Sequence, residues 1–192
     1  MSIVRRATHA DLPRLCRTAL HAFADDPVMR WIYPDDGEYY AGDGAILRFA
    51  YRRWLAYEAT YTTDDSVSVA AFIPPGRPEI DIEREAELPV HPPDRLERFR
   101  AIGEVIAANT PPEPHWYLNL LGTHPDWQRQ GLGTLVIGPI VELCDRERLP
   151  LYLETETESN VAYYSHLGFA VRGEWDVPPD GPHMWGMIRA PR

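Results

Sequence analysis

A chain of 192 residues, 44% hydrophobic and 25% charged, is long enough to bury a core of its own, and one domain over residues 1–192 is expected. Its formal charge of −10 excludes the basic face that a nucleic-acid partner requires and suits a neutral or cationic small molecule. No apolar run approaches the roughly 20 residues that span a bilayer, and MSIVRRATHADL lacks a signal-peptide core, so a cytoplasmic protein with no membrane partner is expected.

Residues 2–6 alternate and predict a first strand. In THADLPRLCRTALHAF, Leu12, Leu15, Ala19, Leu20 and Phe23 fall at helical spacing, with Thr8 or Asp11 near the start as cap. Pro27, Pro34 and Gly37 break the next segment into a helix–loop–helix elbow, and the helical pattern returns in AILRFAYRRWLAYEA. TYTTDDSVSVAAFIPPG reads as a hairpin around Asp64 and Asp65, closed by Pro74-Pro75-Gly76. The acidic stretch 79–87 reads as a solvated face or linker. DRLERFRAIGEVIAANT predicts an amphipathic helix stopped by Pro111 and Pro112.

The second half is more regular. HWYLNLLGT predicts a strand, GLGTLVIGPIVELCDRER a helix, LPLYLETET a strand and NVAYYSHLG a short helix. GFAVRGEWDV and HMWGMIRA predict a final antiparallel pair, with Trp175, Trp185 and Met187 as core or interface. Strand–helix–strand over a short connection implies parallel strands and a right-handed crossover. The fold class is thus α/β, a mixed sheet with helices on both faces. Cys16 and Cys144 sit in helical patterns and read as buried reduced thiols. The seven histidines show no ligand spacing, so no metal site is expected.

Chemistry concentrates in THPDWQRQGLGT, between the strand 115–123 and the helix that begins near Gly131. The first four amides of a helix have no intrahelical partner, and the helix dipole makes that end positive. Glycine at 131 and 133 removes Cβ atoms from the path of an anion, and Arg129 can add charge at the rim. The loop therefore suits a diphosphate. All nineteen basic residues are arginine, which rules out the lysine-bearing P-loop. Val136 occupies the place where a dinucleotide fingerprint needs Gly or Ala.

Gln128-x-x-Gly131-x-Gly133 after an apolar strand resembles the Q/R-x-x-G-x-G/A motif of the GNAT superfamily of acyl-CoA-dependent N-acyltransferases. Tyr164-Ser165-His166-Leu167-Gly168-Phe169 resembles its Y-x-x-x-G-F segment, and Asn160-Val161 its N-V-x-x-Y branch. The order of elements is similar over essentially the whole chain. The resemblance implies a GNAT fold, a mixed and mostly antiparallel sheet whose strands 115–123 and 150–156 are parallel and splay at their C-terminal ends. It implies that acetyl-CoA serves as co-substrate, with pantetheine along the backbone of Leu121, Gly122 and Thr123. The diphosphate would then lie on Gln128, Arg129, Gln130, Gly131, Leu132, Gly133 and Thr134, with Asn160 either on pantetheine or capping its own helix.

By the same resemblance, an amine attacks the thioester carbonyl directly, a backbone N–H near Leu121 stabilises the oxyanion, and Tyr164 protonates the leaving thiolate. Positions that carry a Glu or His base in relatives are Tyr117 and Asn119 here. Neither is a base at neutral pH, so proton removal is expected through water held by these two, or through Glu154, with Asp25, Asp26 and Glu58 as weaker candidates. The acceptor is expected to be a primary amine of a small molecule or peptide. Region 23–43 and the loop after strand 168–175 would form its site: Phe23, Trp31, Tyr33, Tyr39 and Tyr40 suit an aromatic body, Asp25, Asp26, Asp35, Asp36 and Glu38 a positive charge. A homodimer is common in that family and is one expectation. The alternative is a catalytically silent CoA-binding sensor or interaction module of the same fold.

Overall fold

The computed structural model describes residues 2–41, 45–77 and 92–192. The acidic stretch 79–87 lies outside the described residues. Seven strands form one sheet in the order β1-β2-β3-β4-β5-β7-β6: β1 (Val4–Arg6), β2 (Thr60–Thr63), β3 (Ser68–Ile73), β4 (Trp116–Thr123), β5 (Leu151–Thr155), β6 (Ala170–Asp176) and β7 (His183–Arg189). Every neighbouring pair is antiparallel except β4 and β5. That is the mixed, mostly antiparallel sheet the sequence predicts.

Helices cover both faces. Helices α1 (Leu12–Ala22) and α4 (Ala45–Ala56) pack Leu15, Cys16, Ala19, Tyr51, Trp54 and Leu55 against Val69, Ala71, Ile73, Tyr117, Leu120 and Tyr152. On the opposite face, α6 (Leu132–Glu147) and α7 (Glu158–His166) bring Val136, Ile137, Ile140, Cys144 and Tyr164 onto Phe72, Trp116, Leu118, Leu151, Leu153 and Met187. The elbow is two short helices, α2 (Pro27–Ile32) and α3 (Asp36–Ala41). With α5 (Pro93–Asn109) and the β6–β7 turn they close a third cluster around Ile32, Tyr33, Tyr39, Ile102, Val177 and Met184. Both cysteines are buried thiols outside any disulfide, and burial pushes the Cys144 thiol up to about 12.

Two irregularities position the site. β4 and β5 pair only at Trp116–Leu151 and Tyr117–Tyr152, although β4 continues to Thr123 and β5 to Thr155. Beyond that point β4 pairs with β3 and β5 with β7, leaving the inner edges facing each other across a gap. The second irregularity is a bulge. Leu118 pairs with Phe72 and Leu120 with Ala71, so Asn119 is an extra residue in β4. Strict alternation would put Tyr117, Asn119 and Leu121 on one face. Instead Tyr117 and Leu120 face α1 and α4, while Leu118 and Leu121 face α6.

Candidate active site

The turn from β4 into α6 is built by backbone geometry. His124 opens a single 3-10 turn, Pro125–Trp127, accepting the Asp126 amide on Nδ1 at 3.4 Å. Gln128 then reaches back and donates from Nε2 to the Thr123 carbonyl at 3.2 Å, bracing the loop against the end of β4. Arg129 (φ 59°) and Gly131 (φ 78°) both adopt left-handed backbone, which swings the chain into the helix. Gly131 is the N-cap, and Leu135 donates the first helical bond to its carbonyl at 3.1 Å. The amides of Gly131, Leu132, Gly133 and Thr134 thus have no intrahelical acceptor and point out of the positive end of α6.

The three glycines here have three different causes. A Cβ on Gly131 would meet nothing within 4 Å, so its positive φ is what selects glycine. A Cβ on Gly133 would stand 3.0 Å from the Tyr163 hydroxyl and 3.8 Å from both Leu121 Cδ2 and Thr123 Oγ1. The space beside Gly133 therefore belongs to Tyr163, which differs from the sequence-based reason of keeping it clear for an anion. A Cβ on Gly122 would lie 3.2 Å from Ala22 Cβ and from Phe23 Cε2, so this glycine admits the end of α1 onto β4. Thr123 shares a hydroxyl–hydroxyl bond with Ser68 at 2.8 Å.

Tyr164 is 7% exposed, with its ring 5.1 Å from that of Tyr163 and 5.6 Å from Phe169. Burial, then Tyr163 and Glu156, raise its phenol far above the ordinary value; the group is fully protonated at neutral pH, a donor rather than a base. Asn160 is exposed in the first turn of α7, and the cap there is Thr157, whose Oγ1 accepts the Asn160 amide at 3.2 Å. The Asn160 side chain does not cap the helix. Tyr117 is buried against Tyr152 at a ring separation of 5.9 Å, and Asn119 is half-buried at the bulge.

A carboxyl pair that the sequence does not single out lies across the gap. Asp26 caps α2, accepting the Met29 amide at 3.0 Å, and its carboxyl adjoins that of Glu156, just past the end of β5. Both keep some contact with solvent but are crowded by protein. Burial raises Asp26; burial, then the charges of Asp26 and Glu154, raise Glu156 further. The two carboxyls titrate as a pair, and the pair holds a proton above the usual carboxylate range. The only sequence signal was alternation, which puts Glu154 and Glu156 on one face. Their meeting with Asp26 is tertiary.

The remaining candidates are dispersed. Glu58 pairs with Arg6 at 3.9 Å, beside β1 and away from the gap. Asp25 is fully exposed, 4.0 Å from Arg30. Asp36 pairs with Arg30 and Glu38 with Arg95, each at 2.5 Å, while Asp35 Oδ1 accepts the Glu38 amide at 3.0 Å. Of the aromatic set, Tyr33 and Tyr39 are core, whereas Phe23 and Trp31 are half-buried and Tyr40 is exposed. Arg98 donates to the Trp31 carbonyl. Among the described residues, no group of three His, Cys, Asp or Glu side chains is placed to hold a metal ion, and no helix is long and apolar enough to cross a membrane.

The model of the acetyltransferase (GNAT) family matches residues 13–169. The chain belongs to the GNAT family. Its GNAT fold is also seen in solved structures. A Corynebacterium glutamicum protein described as histone acetyltransferase HPA2 and related acetyltransferase is similar with a TM-score of 0.73 and 22% identity, over 100% of this chain and 97% of that one. Arylalkylamine N-acetyltransferase 2 from Aedes aegypti follows with a TM-score of 0.70 and 14% identity, over 100% and 99%. Among curated proteins, an uncharacterised N-acetyltransferase of Schizosaccharomyces pombe is 41% identical over 54 residues, 28% of this chain and 22% of that protein. This GNAT chain thus spans about a fifth of the length of that curated relative.

Proposed function

We infer that the protein transfers an acetyl group from acetyl-CoA to a primary amine of a small molecule or peptide. The observation that carries this reading is the gap between β4 and β5. It opens after two residue pairs and has the unpaired amides of α6 near one strand and the Asp26–Glu156 carboxyls by the other. The residues present fit coenzyme A. The inner edge of β4 at Leu121, Gly122 and Thr123 offers main-chain groups to an extended pantetheine arm, and the amides of 131–134, with Arg129 at the rim, suit its diphosphate. The donor supplies a thioester carbonyl.

The chain's own groups do the rest. A β4 amide near Leu121, re-aimed by the bulge at Asn119, receives the negative charge that develops on the carbonyl oxygen when the amine nitrogen bonds to the carbonyl carbon. Tyr164 gives its proton to the thiolate as the carbon–sulfur bond breaks, and the proton that the nitrogen sheds as the amide forms restores the phenol. The incoming ammonium must first lose a proton, and the Asp26–Glu156 pair in its doubly ionised form is the acceptor. The neighbouring arylalkylamine N-acetyltransferase has an amine acceptor, in keeping with this assignment.

The test is thiol release from acetyl-CoA across a panel of primary amines, with products weighed by mass spectrometry. Wild type should acetylate at least one amine, and Tyr164→Phe should lower kcat by roughly 10²-fold or more, the usual worth of a positioned acid, while CoA binding persists. CoA binding with no turnover on any amine would instead make the protein a silent CoA-binding module.

A further inference from the structure

Helix α7 carries two adjacent tyrosines, and the reaction above uses only Tyr164. Tyr163 serves a different neighbourhood. Its hydroxyl lies 3.2 Å from Thr134 Oγ1 in the first turn of α6 and 3.0 Å from the place a Cβ on Gly133 would take. Leu121 Cδ2 and Thr123 Oγ1, from the end of β4, approach the same point at 3.8 Å. Three elements therefore meet around Gly133: the strand edge proposed for pantetheine, the helix start proposed for the diphosphate, and α7. The ring is half-buried against the α6-side core, a packing task that phenylalanine would perform equally well. What the hydroxyl adds is its contact with Gly133 and Thr134.

We propose that Tyr163 is a positioning residue for the diphosphate of acyl-CoA, acting through Thr134. This rests on the acyl-CoA reading above. A hydroxyl both donates and accepts. When Tyr163 donates to Thr134 Oγ1, the Thr134 hydrogen is left to donate to a phosphate oxygen beside the amides of 131–134, and a bond to a charged acceptor is stronger than one between neutral groups. Thr134 is exposed, so without Tyr163 its side chain would be free to rotate away. Gly133 is glycine because the phenol needs the room. Tyr163 touches no reacting atom, so its loss belongs in donor affinity and not in the chemical step.

Calorimetric titration with CoA, alongside steady-state kinetics with acetyl-CoA, tests this. Tyr163→Phe should weaken CoA binding by about tenfold, the ordinary cost of one hydrogen bond serving a charged group, and raise the KM for acetyl-CoA in step while kcat moves by less than about twofold. Gly133→Ala supplies a second reading. It should weaken CoA binding in the wild-type background, where the new methyl displaces the phenol, and cost much less in the Tyr163→Phe background, where the oxygen is gone. Unchanged CoA affinity in Tyr163→Phe overturns the proposal, as does a Gly133→Ala penalty of the same size in both backgrounds, which would mean the methyl blocks the anion itself. A fall in kcat equal to the rise in KM would assign Tyr163 a general structural role. Wild-type protein that binds no CoA removes the acyl-CoA reading, and this proposal with it.

Discussion

In the proposed reaction, Asp26 and Glu156 take the proton of the incoming amine. Two neighbouring, crowded carboxyls cannot both ionise cheaply, so the native state grips a proton that the unfolded chain releases near the ordinary value of 4.5. The sign of the linkage follows. Stability from that proton is fully present below the unfolded value and is lost as pH rises through the raised native one. Glu156→Gln keeps a donor toward Asp26 and cannot ionise. Its melting temperature relative to wild type should therefore climb as pH is raised from about 5 to 8, because only wild type loses the shared proton. Activity should move oppositely. The wild-type kcat/KM should show an acid limb above the usual carboxylate range, and the Gln variant should lose that limb along with most of its rate. A melting difference that stays flat with pH would mean that Glu156 ionises freely in the native protein. Sequence reading reached Glu154, and more weakly Asp26, as base candidates but passed over Glu156, because a carboxylate just past a strand end is ordinary until its partner is seen.

Among the elements, β4 shows how one inserted residue turns a strand into a site. Leaving out Asn119, the side chains from Trp116 to Thr123 alternate cleanly between the two faces: Trp116, Leu118 and Leu121 toward α6, Tyr117 and Leu120 toward α1 and α4. Deleting Asn119 should thus give a regular strand with every apolar residue still on its proper face. We expect the deletion variant to fold cooperatively, with a melting temperature within about 10 °C of wild type, and to lose acetyl transfer, because the amides near Leu121 would be re-aimed. An unfolded variant, or one with wild-type turnover, would contradict that account. Element type and order were legible from the sequence because they rest on local signals: periodicity for α1, α5 and α6, proline and glycine punctuation for the elbow and the hairpin. The bulge was not, since WYLNLLGT reads as one apolar run. Nor was the cap of α7, where Thr157 takes the role open to Asn160. In the α6 turn the residue types were legible and their reasons only partly so. Gln128 is spent on β4, and Gly133 makes way for Tyr163.

On the scale of the whole molecule, the proposed function asks the formal charge of −10 to serve two ligands of opposite sign. Coenzyme A is a polyanion, and its approach is opposed by the net field until it reaches the few angstroms where the α6 amides and Arg129 dominate. A cationic amine would be drawn in by the same field and, in the proposed reaction, would meet Asp26 and Glu156 at the gap. Long-range terms act on encounter and are screened over about 30 Å at 0.01 M ionic strength but only about 8 Å at 0.15 M. Raising salt across that range should therefore speed CoA association and slow capture of a cationic acceptor, read as a fall in its kcat/KM, on one and the same protein. Trp127, 43% exposed in the turn ahead of Gln128, offers a fluorescence signal for stopped-flow measurement of CoA binding. An uncharged amine serves as control, with kcat/KM nearly independent of salt. If both ligands respond to salt with the same sign, the net charge does not steer them and local groups alone govern their arrival.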